Sequence, residues 1–178
     1  MYKKVILILT SFFFLGSLLL ADEPPSYEEF EILSKNGKFL AQVTTDVNDK
    51  VKQPWELTYT LTVYQANNDS PKEMWSCQYI YDGYPYGILT DDGSTFVYIC
   101  TWYFEDSYVV LIYRWGKEIK RINGDKFHVR KSKMIKTASH RLWYFEDSIH
   151  ITDSSVLELK TIDRKKHLID LTSGEFIY

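Results

Sequence analysis

From residue 30 to the C-terminus almost no segment carries apolar residues at helical spacing. Apolar and polar positions alternate instead, in short runs rich in Val, Ile, Thr, Tyr and Phe. A period of two marks strands with one buried face, because successive side chains leave a strand on opposite sides. The pattern predicts about 11 strands, over residues 39–45, 56–64, 75–81, 95–104, 108–113, 118–122, 142–145, 149–152, 156–161, 166–170 and 176–178. Turn chemistry separates them, including Asn36-Gly37, Asn67-Asn68-Asp69, Asp92-Gly93, Asn123-Gly124, Asp153-Ser154 and Ser173-Gly174. Short strands with frequent turns predict an all-β antiparallel meander. Residues 130–139 lack the pattern and read as a loop or a short helix.

The N-terminus is of another kind. Lys3 and Lys4 precede an apolar run from Val5 to Leu20, Ala21 follows, and Asp22-Glu23-Pro24-Pro25 turns the chain acidic and extended. A positive start, an apolar middle and a small residue at the cut form the pattern of a secretory signal peptide. The run is shorter than the roughly 20 residues that span a bilayer. The expected organisation is therefore a signal peptide over residues 1–21, cleaved near Ala21, and a single all-β domain over residues 22–178. Its expected location is the periplasm or the extracellular space. Loss of Lys3 and Lys4 takes the formal net charge from −3 to −5.

Two echoes run through the domain. Leu33-Ser34-Lys35-Asn36-Gly37 followed by a strand aligns with Leu89-Thr90-Asp91-Asp92-Gly93 followed by a strand. In each, Asn or Asp opens a tight turn and Gly takes the positive φ. The second echo is Trp102-Tyr103-Phe104-Glu105-Asp106-Ser107 against Trp143-Tyr144-Phe145-Glu146-Asp147-Ser148. The first pair resembles the S-x-[DN]-G turn-and-strand element of β-propeller blades, such as those of the Tol-Pal envelope system. It also resembles small exported bacterial proteins of unknown function, in which strands like Val110-Leu111-Ile112-Tyr113-Arg114 and Leu168-Ile169-Asp170-Leu171 recur. The resemblance implies four-stranded antiparallel units and no catalytic residues. Eleven strands fall short of a closed propeller, so a β-sandwich and a partial β-propeller-like stack of blade units both remain open.

Few residues point to chemistry. Neither a nucleophile elbow nor a phosphate-binding glycine loop is present, and no nucleic-acid motif appears. His128, His140, His150 and His167 lack metal-ligand spacing, so neither a metal nor a cofactor is expected. Cys77 and Cys100 lie in apolar strand-like runs and are either a disulfide pair or two buried thiols. The acidic pairs Glu105-Asp106 and Glu146-Asp147 read as solvated turn residues, with a hydrolase as the remote alternative.

Two features bear on binding. Trp102, Tyr103, Trp143 and Tyr144 flank the repeated turns and serve either as inter-sheet core or as exposed stacking surfaces, like the tyrosines at 79, 81, 84 and 86. Residues 114–141 hold ten Lys and Arg against Glu118 and Asp125. Lys131, Lys133 and Lys136 in that stretch suit an anionic surface, or simply solvated loops. The expected function is a non-enzymatic, protein-binding domain of the cell envelope. A binding module for an anionic glycan or envelope lipid is the alternative.

Overall fold

The computed structural model describes residues 24–45, 53–66, 70–152 and 155–178. The expected signal peptide and the turns expected at Asn67-Asn68-Asp69 and Asp153-Ser154 lie outside the described residues. The fold is all-β and antiparallel, as the alternation predicts, with 14 strands among the described residues rather than about 11. Twelve of them form three four-stranded meanders in which each strand pairs with its sequence neighbour. The first sheet contains β1 (Phe30–Leu33), β2 (Phe39–Thr45), β3 (Tyr59–Gln65) and β4 (Lys72–Tyr79). The central sheet contains β5 (Ile88–Leu89), β6 (Thr95–Ile99), β7 (Tyr108–Arg114) and β8 (Lys117–Asn123). A small hairpin follows, β9 (Ile135–Lys136) and β10 (Arg141–Leu142). The third sheet is β11 (His150–Thr152), β12 (Val156–Lys160), β13 (Lys166–Asp170) and β14 (Phe176–Ile177).

Three expectations shift. β1, β5 and β9 are strands that the alternation did not reveal, two of them only two residues long. Glu56 closes the 3-10 turn Pro54–Glu56 instead of opening a strand. Residues 130–139 hold the 3-10 turn Lys131–Lys133 and then β9.

Burial explains how the sheets stack. The middle strands of the central sheet are buried on both faces: all five residues of β6, and Val109 to Tyr113 of β7, are shielded from water. Such a strand reads as an unbroken apolar run rather than an alternating one. Its Phe96, Tyr98 and Tyr113 meet Tyr79 of the first sheet at ring-centroid separations of 5.7–6.5 Å. Its opposite face carries Val97, Ile99, Val110 and Ile112. The neighbouring sheets each keep one polar face. Glu31, Gln42, Thr62 and Ser76 lie in register across the first sheet, with the Gln42 amide donating to Glu31 at 2.8 Å. On the third, Glu158 faces His150 in register and pairs with the Lys166 ammonium at 2.7 Å. Lys120 of the central sheet meets Glu175 of the third at 2.6 Å.

The Ser34 and Thr90 turns are the same structure. Each hydroxyl donates to the side chain two residues on, Asn36 at 2.9 Å or Asp92 at 2.6 Å, and accepts the N–H of the first residue of the following strand at 3.0 Å. Gly37 and Gly93 take φ of +70° and +69°. The two turns also dock on each other, the Asn36 N–H donating to the Asp91 carboxylate at 2.7 Å. A third copy, without its glycine, joins β12 to β13. There Thr161 donates to Asp163 at 2.7 Å and Arg164 adopts φ of +68°.

Candidate functional site

The segment 80–87 leaves β4, the segment 100–107 leaves β6, and residues 137–140 form the tip of the β9–β10 hairpin. All three meet on one side of the central sheet. The hairpin is attached through a bridge between Trp102 and Leu142, and the Tyr103 N–H donates to the Arg141 carbonyl at 2.9 Å. Its tip is fixed internally: the His140 N–H donates to the Thr137 hydroxyl at 3.0 Å. This places the His140 ring flat on Trp102, with centroids 4.8 Å apart and planes 18° from parallel. Phe104 meets the same imidazole edge-on at 6.3 Å and is 41% exposed.

Phe104 and His140 divide two adjoining cavities. One, of about 330 Å³, is walled by Tyr84, Trp102, Phe104, Tyr108 and His140, with Asp82 as its carboxylate. Tyr84 stands edge-on to Trp102 at 6.1 Å. Asp82 accepts hydrogen bonds from the Tyr98 hydroxyl, from the Cys100 thiol at 3.7 Å and from the Tyr84 N–H at 3.4 Å. All three donors are neutral, no lysine or arginine lines this cavity, and burial holds the Asp82 carboxyl above its ordinary range. The other cavity, of about 430 Å³, is cationic, with Lys131, Lys136 and Arg141 against Glu105 and the His140 ring on its wall. Lys131 is ion-paired with Glu105, so Lys136 and Arg141 supply the positive charge that faces solvent.

No protein-family model matches the chain, and none of the curated proteins matches it. The function must therefore be argued from the site itself.

The sequence-predicted binding residues divide between core and surface. Trp143 is fully buried, its indole N–H donating to the Cys100 carbonyl at 2.8 Å, and Tyr144 and Trp102 are buried as well. Of the two alternatives these three rings take the buried one, Trp143 in the core and Trp102 against His140 and Tyr84 at a cavity edge, and of the four rings only Tyr103 keeps partial exposure. Lys131 and Lys136 line the cationic cavity, whereas Lys133 lines neither. Cys77 and Cys100 are free thiols rather than a disulfide. Cys77 lies on β4 beside Leu61, while Cys100 stands just past β6 against Asp82. Burial pushes the Cys77 thiol up to about 11 and the Cys100 thiol up to about 12.

The remaining chemical candidates are scattered. His150 faces Glu158 on the third sheet at 3.5 Å, away from His140 on the hairpin tip. Glu146 and Asp147 open the 3-10 turn Glu146–Ser148. Among the described residues no group of three or more His, Cys, Asp or Glu side chains gathers at metal-binding range. A further cleft of about 470 Å³ lies where β1, β5 and β11 converge, lined by Ile32, Ile88 and Ile151 together with Lys35, Asp91 and His150. Sequence reasoning missed Asp82, Phe104, Tyr108 and His140 as site residues, while Arg141 closes the basic stretch 114–141 that it did single out. The available signal was Tyr81-Asp82-Gly83-Tyr84, an acid set among aromatics in a segment too turn-rich to be a strand.

Proposed function

We propose that the chain is an exported, non-enzymatic domain of the cell envelope that binds a protein partner at the face made by residues 80–87, 100–107 and 137–141. The observation that carries this reading is the pair of cavities divided by Phe104 and His140, one aromatic and one cationic, on loops joined by the Trp102–Leu142 bridge. Few convergent polar groups set among apolar walls suit recognition. An exposed aromatic at the centre of a mixed polar rim is the arrangement expected of an interface anchor. The reading is tested by placing a photo-reactive amino acid at Phe104 and, as a control, at Trp55, which is 64% exposed before the first sheet's β3. A discrete protein adduct is expected from position 104 in intact cells and not from position 55. Equal labelling from both, or no protein adduct at 104, overturns it.

A second reading, an anionic glycan or lipid surface, is favoured by the cationic cavity alone. It predicts binding to vesicles containing anionic lipid, or to acidic polysaccharide, that weakens steeply as salt rises and is lost when Lys136 and Arg141 are both replaced by Gln.

A further inference from the structure

The aromatic cavity is chemically one-sided. Its carboxylate is partly withdrawn from water, the donors to that carboxylate are neutral, no lysine or arginine lines the cavity, and its walls are the rings of Tyr84, Trp102, Phe104, Tyr108 and His140. Hydrogen bonds from Tyr98, Cys100 and the Tyr84 backbone favour the ionised form of Asp82 but bring no net charge to balance it. Aromatic faces carry negative potential and attract cations. An apolar guest would leave the carboxylate uncompensated, and an anionic guest would be repelled by it. A single carboxylate among ring walls is too sparse a ligand set for a divalent metal ion. At about 330 Å³ the space is near the lower limit of ligand pockets, which suits a short alkyl chain with a charged end.

We propose that this cavity binds an alkylammonium group, its charge set against the Asp82 carboxylate and its methylenes against the rings of Tyr84, Trp102, Phe104 and Tyr108. The inference rests on the reading of this face as the binding face and names the group that a partner inserts there: a lysine side chain or another primary amine. The neighbouring Lys136 and Arg141 then meet an acidic group on the same partner, so the face selects a ligand that carries both charges in a fixed order.

The test uses the purified protein and two small probes of matched length, n-butylammonium and n-butanol, followed by tryptophan fluorescence and by the shift in thermal midpoint. Saturable binding of the ammonium, at least tenfold tighter than the alcohol, is expected. Asp82→Asn should weaken the ammonium at least tenfold and leave the alcohol unchanged. Since Asp82 also anchors Tyr98, Phe104→Ala provides a surface variant whose fold is not at issue, with an expected loss of about fivefold. Equal affinity for the two probes, no saturation by the ammonium, or an ammonium affinity unchanged in the folded variants overturns the proposal. If the ammonium fails while adducts at position 104 persist, the cavity assignment falls and the binding face stands. If the ammonium binds without any protein adduct, the cavity stands and the protein-partner reading falls.

Discussion

The same six residues, Trp-Tyr-Phe-Glu-Asp-Ser, occur at 102–107 and 143–148 and take different parts in the molecule. Trp143 is sealed in, its N–H satisfied by the Cys100 carbonyl and its ring 4.8 Å from Phe127 and 5.0 Å from Tyr144. Trp102 is buried against the His140 imidazole at the edge of a cavity, and its indole N–H is buried without a hydrogen-bond acceptor. The acidic ends differ as well. Glu146 and Asp147 wind into a 3-10 turn closed by the Ser148 hydroxyl on the Phe145 carbonyl at 2.6 Å, whereas Glu105 reaches out to Lys131. Identical sequence thus supplies a core pillar in one place and a cavity wall in the other. Cys100 stands between them, its carbonyl serving Trp143 and its thiol serving Asp82.

This contrast can be broken or sharpened by experiment. Trp143→Ala should cost about 3–5 kcal/mol in urea unfolding. Trp102→Ala should cost clearly less, because it has no hydrogen bond to lose and already borders a void. Equal losses would erase the distinction. At Cys100, and at Cys77 on β4, native thiols should react with alkylating reagent at pH 8 at least a hundredfold more slowly than in denaturant, where two thiols per chain are expected without added reductant. The sign follows from burial: thiols held near 11 and 12 against an ordinary 9.0 are almost wholly protonated at pH 8. Finding no thiol in denaturant would restore the disulfide.

A milder pair of substitutions isolates the hydrogen bond. Trp143→Phe removes the donor and leaves the buried Cys100 carbonyl short of a partner, at a cost of about 1–2 kcal/mol beyond the volume lost. Trp102→Phe removes a donor that has no acceptor and should cost only the volume. The smallest effect is expected at the third hydroxyl turn. Arg164 holds φ of +68° where the first two turns carry glycine, so Arg164→Gly should stabilise by about 0.5 kcal/mol, once the added freedom of the unfolded chain is set against the relieved strain. Destabilisation there would mean that the arginine side chain contributes contacts that outweigh its backbone strain.

The all-β class, most strands and two of the three hydroxyl turns were legible because they depend on local signals: alternation, β-branched runs and an Asn-Gly or Asp-Gly pair. The third turn was hidden because its hydrogen bonds run through Thr161 and Asp163 while its positive φ falls on an arginine, a residue that gives no turn signal. β5 was hidden by its length of two residues. The site was hidden for a different reason. Asp82, Phe104 and His140 belong to three loops separated by some 20 to 60 residues, brought together by long-range contacts such as the Trp102–Leu142 bridge and the Cys100 thiol on Asp82. Whether a tryptophan faces water depends on such long-range pairing, so both environments of the repeated hexapeptide were compatible with the sequence. The basic stretch pointed to the right neighbourhood through Lys131 and Lys136, but the partner of Lys131, Glu105, came from another loop.

The polar outer faces of the first and third sheets have a consequence for how such a chain can grow. Stacking of sheets ends where a face stops offering apolar surface, and here that limit is written in a few residues: Glu31, Gln42, Thr60, Ser76 and Gln78 at one end, and the Glu158 ion pairs at the other. The central sheet differs from its neighbours mainly in having both faces of its middle strands, β6 and β7, apolar. Re-coding one face of one terminal sheet, with no change to its turns or register, would make it an interior sheet and open a place for a fourth. The number of layers is thus set by the chemistry of two surfaces, and duplication of a single four-stranded unit would have to be accompanied by change at only one of them.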